Sequence, residues 1–222
     1  MVAKMHFFPI GNADTLRLDL ADGRKILVDF ADMRCADDEE DLRCDLPGEL
    51  LRDLAKANRN NYDAVCITHL DDDHCKGFGD FFWLRHAALR VFSYPSALMA
   101  WMEKNSLDYE SRKHLIVDAG KLVPGYTKEG PAQAEFFVHS PFGWRQDEQT
   151  VIDRNNDSIV MQVTFREDGN DTYAILGSDV DHEALSTIVQ ITRDRRNDHR
   201  LLWDIMKLFH HCSYRSLGPD RG

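Results

Sequence analysis

The sequence predicts a mixed α/β domain, and three observations predict it. Short apolar runs alternate with period two in the opening third, tight-turn dipeptides join those runs into antiparallel hairpins, and a strand–helix–strand rhythm follows them. At 222 residues the chain is long for one small module and short for two, so residues 1–222 are expected to form a single domain with a core of useful size. A hydrophobic fraction of 43% with 10% aromatic residues excludes a disordered or fibrous chain. No stretch approaches the roughly 18 apolar residues of a membrane span. Met1-Val2-Ala3-Lys4-Met5-His6 has no apolar signal core, so a cytoplasmic location without membrane partners is expected.

The elements follow in order. Met5 to Ile10 is a short apolar strand and Gly11-Asn12-Ala13-Asp14 a turn. Thr15 to Leu20 alternates as a half-buried strand does, and Asp22-Gly23 turns the chain into a further strand, Lys25 to Phe30. Residues 36–45 are a charged loop. Pro47-Gly48-Glu49 then opens a helix with Leu50, Leu51, Leu54 and Ala57 on one face. Tyr62 to Thr68 is the next strand. Ala88 to Tyr94 reads as a strand, and Pro95 to Lys104 and Tyr109 to Val117 as helices. The stretches 120–130 and 143–157 read as loops around a short strand, Glu135 to His139. Ile159 to Phe165 and Tyr173 to Leu176 form a second hairpin across Asp168-Gly169-Asn170-Asp171. His182 to Asp194 has helical spacing, and Trp203 to Phe209 is the last strand. There is no 20- to 50-residue repeat.

Lys and Arg number 27 against 38 Asp and Glu, a net charge of −11, which argues against a general nucleic-acid coat without excluding a local groove beside bound cations. Five cysteines, Cys35, Cys44, Cys66, Cys75 and Cys212, are odd in number and irregular in spacing, so reduced thiols are expected rather than a disulfide framework.

The densest chemistry lies in Thr68-His69-Leu70-Asp71-Asp72-Asp73-His74, directly after a predicted strand. Carboxylates this close repel one another, so such a cluster is a liability unless cations neutralise it. Imidazole with carboxylate is the ligand mixture that suits zinc, manganese or iron. Two more strand ends carry similar groups: Gly177-Ser178-Asp179-Val180-Asp181 and Phe209-His210-His211-Cys212. An aspartate at the first could bridge two metals about 3.5–4 Å apart. Each of these two is weak alone, since a helix N-cap is the better reading of either aspartate taken by itself, but three such strand ends strengthen one another.

These residues resemble the metallo-β-lactamase-fold hydrolases, and most of all the hydrolase domain of bacterial DNA-internalisation competence proteins. The similarity runs from Gly11–Asp14, Asp22-Gly23 and Leu27-Val28-Asp29 through a His-x-Asp-x-Asp-His motif at His69, Asp71, Asp73 and His74. It continues in Asn155-Asn156-Asp157-Ser158, Gly177-Ser178-Asp179 and His210-His211-Cys212-Ser213. The resemblance implies a four-layer αββα sandwich with the metal site at strand ends. It implies two divalent ions, zinc or manganese: His69 and Asp71 on one, Asp73 and His74 on the other, Asp179 bridging, and His210 completing the second, with His211 as its alternative. A water activated by the metals would be the nucleophile, and Asp73 would orient it or take its proton.

The pattern also departs from the family. Ser178 interrupts the Gly-Asp, Cys212 stands where the family has glycine, and the third-motif histidine has no clear match, leaving Asn155 or His139 as tentative ligands. His139 reads more readily as a satisfied strand-end histidine, and Asn155 as a turn residue. Asp72 is expected to face solvent. The chain also stops short of the family's closing strand and helix, so a longer parent with a C-terminal domain, or a protein partner, is expected. Arg193 to Arg200 is a dense basic run whose simplest reading is an exposed helix end. The function expected is metal-dependent, nuclease-like hydrolysis of a phosphodiester. The alternatives are hydrolysis of a small ester, lactone or thioester on the same fold, or a scaffold with a degraded metal site. Substrate-binding residues and oligomeric state are not read from the sequence.

Overall fold

A computed structural model describes residues 2–81, 88–89, 92–95, 114–117, 119–123, 126, 133–142 and 155–219. The chain divides into two compact units, Met1–Ser93 with Tyr109–Leu115, and Tyr94–Asp108 with Ile116–Gly222. Among the described residues, no helix is long and apolar enough to cross a membrane.

In the first unit β1 (Lys4–Phe7), β2 (Leu16–Asp19) and β3 (Lys25–Val28) form an antiparallel meander. Leu16 and Leu18 enter the core as their alternation requires. Arg17 between them is also buried, because its guanidinium pairs with Asp19 and with Asp53, each at 3.1 Å. The Asp22-Gly23 turn places Gly23 at φ +89°, a conformation that costs glycine little. Helix α1 (Leu46–Lys56) begins where the Asp45 carboxylate accepts the Gly48 N–H at 3.1 Å, and it buries Leu46, Leu50 and Leu54. After β4 (Asn61–Tyr62), β5 (Ala64–Cys66) runs parallel to β3. The short helix α2 (Asp72–Cys75) follows.

The short strand β6 (Ala88–Leu89) pairs with β4, while β7 (Phe92–Pro95) runs parallel to β5 and β8 (His114–Val117) completes a sheet of order β1-β2-β3-β5-β7-β8. The helix expected over Tyr109–Val117 is therefore a strand at its C-terminal end. Leu115-Ile116-Val117 is an unbroken apolar run, rich in β-branched residues, with no helical period. Of the helix expected over Pro95–Lys104, Pro95 ends β7 and the remainder lies outside the described residues.

In the second unit β9 (Ala134–Ser140), β10 (Val160–Glu167) and β11 (Asn170–Leu176) are antiparallel. The strand β12 (Ile205–Lys207) lies parallel to β11, giving the order β12-β11-β10-β9. Leu122, in a stretch read as loop, bridges to Phe137. Helix α3 (His182–Asp194) has the expected bounds, and α4 (Tyr214–Leu217) is a single turn. Val160, Ile175, Val180, Ala184, Ile188 and Phe209 pack into one core between α3 and the sheet. The last strand is shorter than its apolar pattern predicts, because the chain leaves β12 for a tight turn over His210–Cys212.

Strand register decides where the chemistry gathers. Leu16 pairs with Val28, and Val28 with Cys66, so the start of β2 and the ends of β3 and β5 lie at one edge of the first sheet. That edge carries Asp14, Asp29 and Thr68–His74. In the second unit Leu176 pairs with both Met161 and Lys207. The start of β10 and the ends of β11 and β12 therefore share an edge carrying Asp157, Asp179 and His210–His211.

Asp181 caps α3 by accepting the Ala184 N–H at 2.8 Å, while its own N–H donates to Asn156 at 3.0 Å. Asp181→Ala is expected to cost about 1–2 kcal/mol in urea denaturation. An unchanged midpoint would remove the cap from this account.

Candidate metal centre

In the first unit the central group is the buried carboxylate of Asp29, at the end of β3 with φ +57°. It accepts the Thr68 N–H at 2.7 Å and the Thr68 hydroxyl at 2.9 Å, and it lies 2.8 Å from Nδ1 of His74. A carboxylate only accepts, so His74 carries its proton on Nδ1. The one hydroxyl hydrogen of Thr68 is committed to Asp29. The 3.1 Å contact between Thr68 Oγ1 and His69 Nδ1 is then an N–H donated by His69. Both imidazoles are thereby held as Nδ1–H tautomers with the lone pair on Nε2. Both rings are fully buried (0% exposed) and lie 4.1 Å apart between centroids.

The Nε2 edges face carboxylates. His74 Nε2 is 3.9 Å from Asp14 Oδ2, and His69 Nε2 is 3.8 Å from Asp71 Oδ2. These separations are too long for direct hydrogen bonds. The backbone of α2 braces the arrangement: the Asp14 N–H donates to Asp73 O at 2.9 Å, and the Phe30 N–H to His74 O at 2.9 Å. Asp71 precedes α2, Asp73 is half-buried, and Asp72 is exposed, as its spacing predicts.

In the second unit Asp179 is buried, and its Oδ2 lies 3.4 Å from His211 Nε2 and 3.9 Å from His210 Nε2. The His210 N–H donates to Ser178 O at 2.9 Å, which ties the turn to the end of β11. Gly177 permits that approach, since a Cβ there would stand 2.7 Å from Lys207 O. His210, His211 and Cys212 all have positive φ, at +47°, +49° and +66°. Left-handed backbone costs a non-glycine residue about 1–2 kcal/mol, so three in succession are strained.

The donors suit a divalent cation. Asp14 and His74 in the first unit, and Asp179 and His211 in the second, are candidate ligands by type and burial. The buried Nδ1 of His210 has no hydrogen-bond partner among the described residues. His139 is engaged otherwise. His139 Nε2 donates to Arg200 O at 2.9 Å and its Nδ1 lies 3.4 Å from Thr192 Oγ1, the arrangement of a satisfied strand-end histidine. Asn155 closes a turn, its carbonyl accepting the Ser158 N–H at 3.1 Å and the Ser158 hydroxyl at 2.5 Å.

Asp14 and the clamp of Asp29 and Thr68 are not singled out as site residues by motif reading. The signal that finds them is register, which brings the turn before β2 and the end of β3 beside the His-rich loop.

No family model matches the chain, and no curated protein does. Among solved structures it is similar to the metallo-β-lactamase SMB-1 bound to 2-mercaptoethanesulfonate, at 16% identity and TM-score 0.51, covering 93% of this chain and 76% of that one. It is similar to a B3 metallo-β-lactamase with an active-site glutamic acid, at 11% identity and TM-score 0.51, covering 93% and 77%. A HARLDQ-motif mutant metallo-β-lactamase from Cronobacter sakazakii matches at 12% identity and TM-score 0.47, covering 88% and 70%. The first two establish that this chain has the metallo-β-lactamase-like αββα fold.

Two outcomes follow. Burial lowers the His139 pKa from 6.5 to about 4, so the unfolded chain binds the proton first as pH falls. The stability that neutral His139 contributes is complete above pH 6.5 and is lost as pH drops through 4, about 3 kcal/mol in all. Urea titrations of His139→Gln should lack that portion of the pH dependence, and equal slopes for parent and variant would contradict it. Cys212→Gly should relieve left-handed strain and raise the urea midpoint by up to about 1 kcal/mol equivalent; a lowered midpoint would show that the turn is unstrained.

Proposed function

We propose that this chain is a metal-dependent hydrolase that acts on a phosphodiester. The observation that carries the reading is the clamp of Asp29 and Thr68, which holds two buried imidazoles with Nε2 toward carboxylates. A core has no use for that arrangement, because it sets nitrogen lone pairs against anionic oxygens. A divalent cation turns the same groups into ligands.

Two ions are proposed, zinc or manganese; the proposed ligands are His69, His74, Asp14, Asp71 and Asp73 in the first unit, and Asp179 with His210 or His211 in the second. When bound, they supply Lewis-acid stabilisation of developing oxyanion charge and make a water acidic enough to attack near neutral pH. The protein's own groups do the rest. Asp29 and Thr68 keep both imidazoles in the ligating tautomer, Gly177 lets the histidine turn approach the end of β11, and Asp73 orients the attacking water or accepts its proton. The phosphodiester is supported by the oxygen-rich donor set, which suits harder ions such as manganese. The His-x-Asp-x-Asp-His resemblance to the competence-protein hydrolases supports it too. Hydrolysis of β-lactams, named for the structural neighbours, is the acyl alternative that the assay must separate.

The test is metal content by plasma mass spectrometry after refilling with manganese or zinc, followed by assays on a chromogenic phosphodiester, an acyl ester and a β-lactam. About two equivalents per chain are expected, with metal lost in His74→Ala and Asp179→Ala and only the phosphodiester cleaved. Asp29→Asn offers His74 an N–H, favours the wrong tautomer, and should weaken metal binding about 10- to 100-fold while circular dichroism stays unchanged. A parent that takes up no metal would overturn the reading, and cleavage of the acyl substrates alone would overturn its substrate class.

A further inference from the structure

Asp179 sits in a short corner between β11 and α3, residues 178–181, and that corner is held at several points. Ser178 O accepts the His210 N–H at 2.9 Å, and Val180 O accepts the Ser216 hydroxyl at 2.8 Å. The Val180 side chain is fully buried in the α3 core. A side-chain amide supplies the remaining hold. Asn156 Oδ1 accepts the Asp181 N–H at 3.0 Å, and Asn156 Nδ2 donates to Asp181 Oδ2 at 3.0 Å. Asn156 stands in the turn that leads into β10, which is closed on itself where Asn155 O accepts the Ser158 N–H and hydroxyl.

Helix capping does not need this pair. Asp181 caps α3 with Oδ1 alone, through the Ala184 N–H. In a capping box a Glu or Gln at the third helical position would take up the N–H of the cap residue, and here that position is Ala184. Asn156 takes it up from another element, so its two bonds tie the corner to the start of β10. The chemistry is specific to an amide, which sets an acceptor beside a donor. A carboxylate at position 156 would instead face Asp181 Oδ2 with a second anionic oxygen. With Ser178 O fixed before it, and Val180 O and the Asp181 N–H fixed after it, the backbone of Asp179 is held on both sides. Its carboxylate is 3% exposed and faces the histidine turn, 3.4 Å from His211 Nε2. A carboxylate held in this way loses less freedom when a cation binds.

We propose that Asn156 is a positioning residue that sets Asp179 for cation binding by way of Asp181, an inference that rests on the metal-site reading above. Cobalt(II) is the probe, because its visible absorption reports ligand geometry. Asn156→Ala should weaken cobalt binding about tenfold in chelator competition and shift the visible bands. Asn156→Asp, which keeps one bond and adds a repulsion, should do the same. Combining Asn156→Asp with Asp181→Asn rebuilds both bonds in the reverse sense and keeps the cap on Ala184, so it should restore the parent's bands and affinity. A merely structural Asn156 predicts a lowered urea midpoint with bands and affinity unchanged, and that result overturns the inference. So does a combined variant that folds without restoring them. If Asn156→Ala does not fold, Asn156→Asp and the combined variant decide. A parent that binds no cobalt overturns the metal-site reading and this inference with it, whereas a cobalt-binding parent matched by all three variants overturns this inference alone.

Discussion

The candidate site depends on one buried carboxylate. Asp29 accepts two hydrogen bonds from Thr68 and one from His74, and through Thr68 it also governs His69. Hydrogen bonds to a charged acceptor are worth about 1.5–3 kcal/mol each, and losing a buried partner costs the desolvation of whatever remains. The larger consequence is directional. Asp29 decides which nitrogen of each imidazole carries hydrogen and therefore which edge can bind a cation. The chain meets this requirement at a strand end, where a left-handed residue turns the carboxylate back toward the loop that follows β5.

The second unit meets a related requirement by different means. Its histidines leave β12 through three consecutive left-handed residues, anchored to Ser178 O and accommodated by Gly177. Cys212 occupies a backbone conformation that glycine would adopt at less cost. The polar layer behind the sheet also bears on this segment. His139 and Gln162 bind the carbonyls of Arg200 and Leu202, and Glu135 pairs with Arg200, so the stretch leading into β12 is held from the helix side. A histidine in such a layer is structural: its neutral form satisfies Arg200 O, and burial keeps it neutral.

Much of the fold was legible because its signals are local. Asp22-Gly23 announces its hairpin, Pro47 and Asp45 announce α1, and the spacing of His182–Asp194 announces α3. His114–Val117 was harder, because a short apolar run satisfies helix and strand alike until its neighbours in the sheet are known. In the site, His69 to His74 and Asp179 stand out by residue type and position at strand ends. Asp14 does not, since an aspartate closing a turn is ordinary, and only the pairing of Leu16 with Val28 sets it beside His74. Between His210 and His211 the sequence offers only chain order, which puts His210 first off the strand. The left-handed turn brings His211 closer to Asp179, and no residue pattern announces three positive φ values in a row.

The central claim is that Asp29 and Thr68 hold His69 and His74 as Nδ1–H tautomers with Nε2 available to a cation. Long-range proton–nitrogen NMR on ¹⁵N-histidine-labelled protein reads this directly. In the metal-free state the account predicts a protonated Nδ1 and an unprotonated Nε2 on both rings, with zinc then shifting the Nε2 resonances. A proton on Nε2 of either ring, or Nε2 resonances that zinc leaves in place, would contradict it.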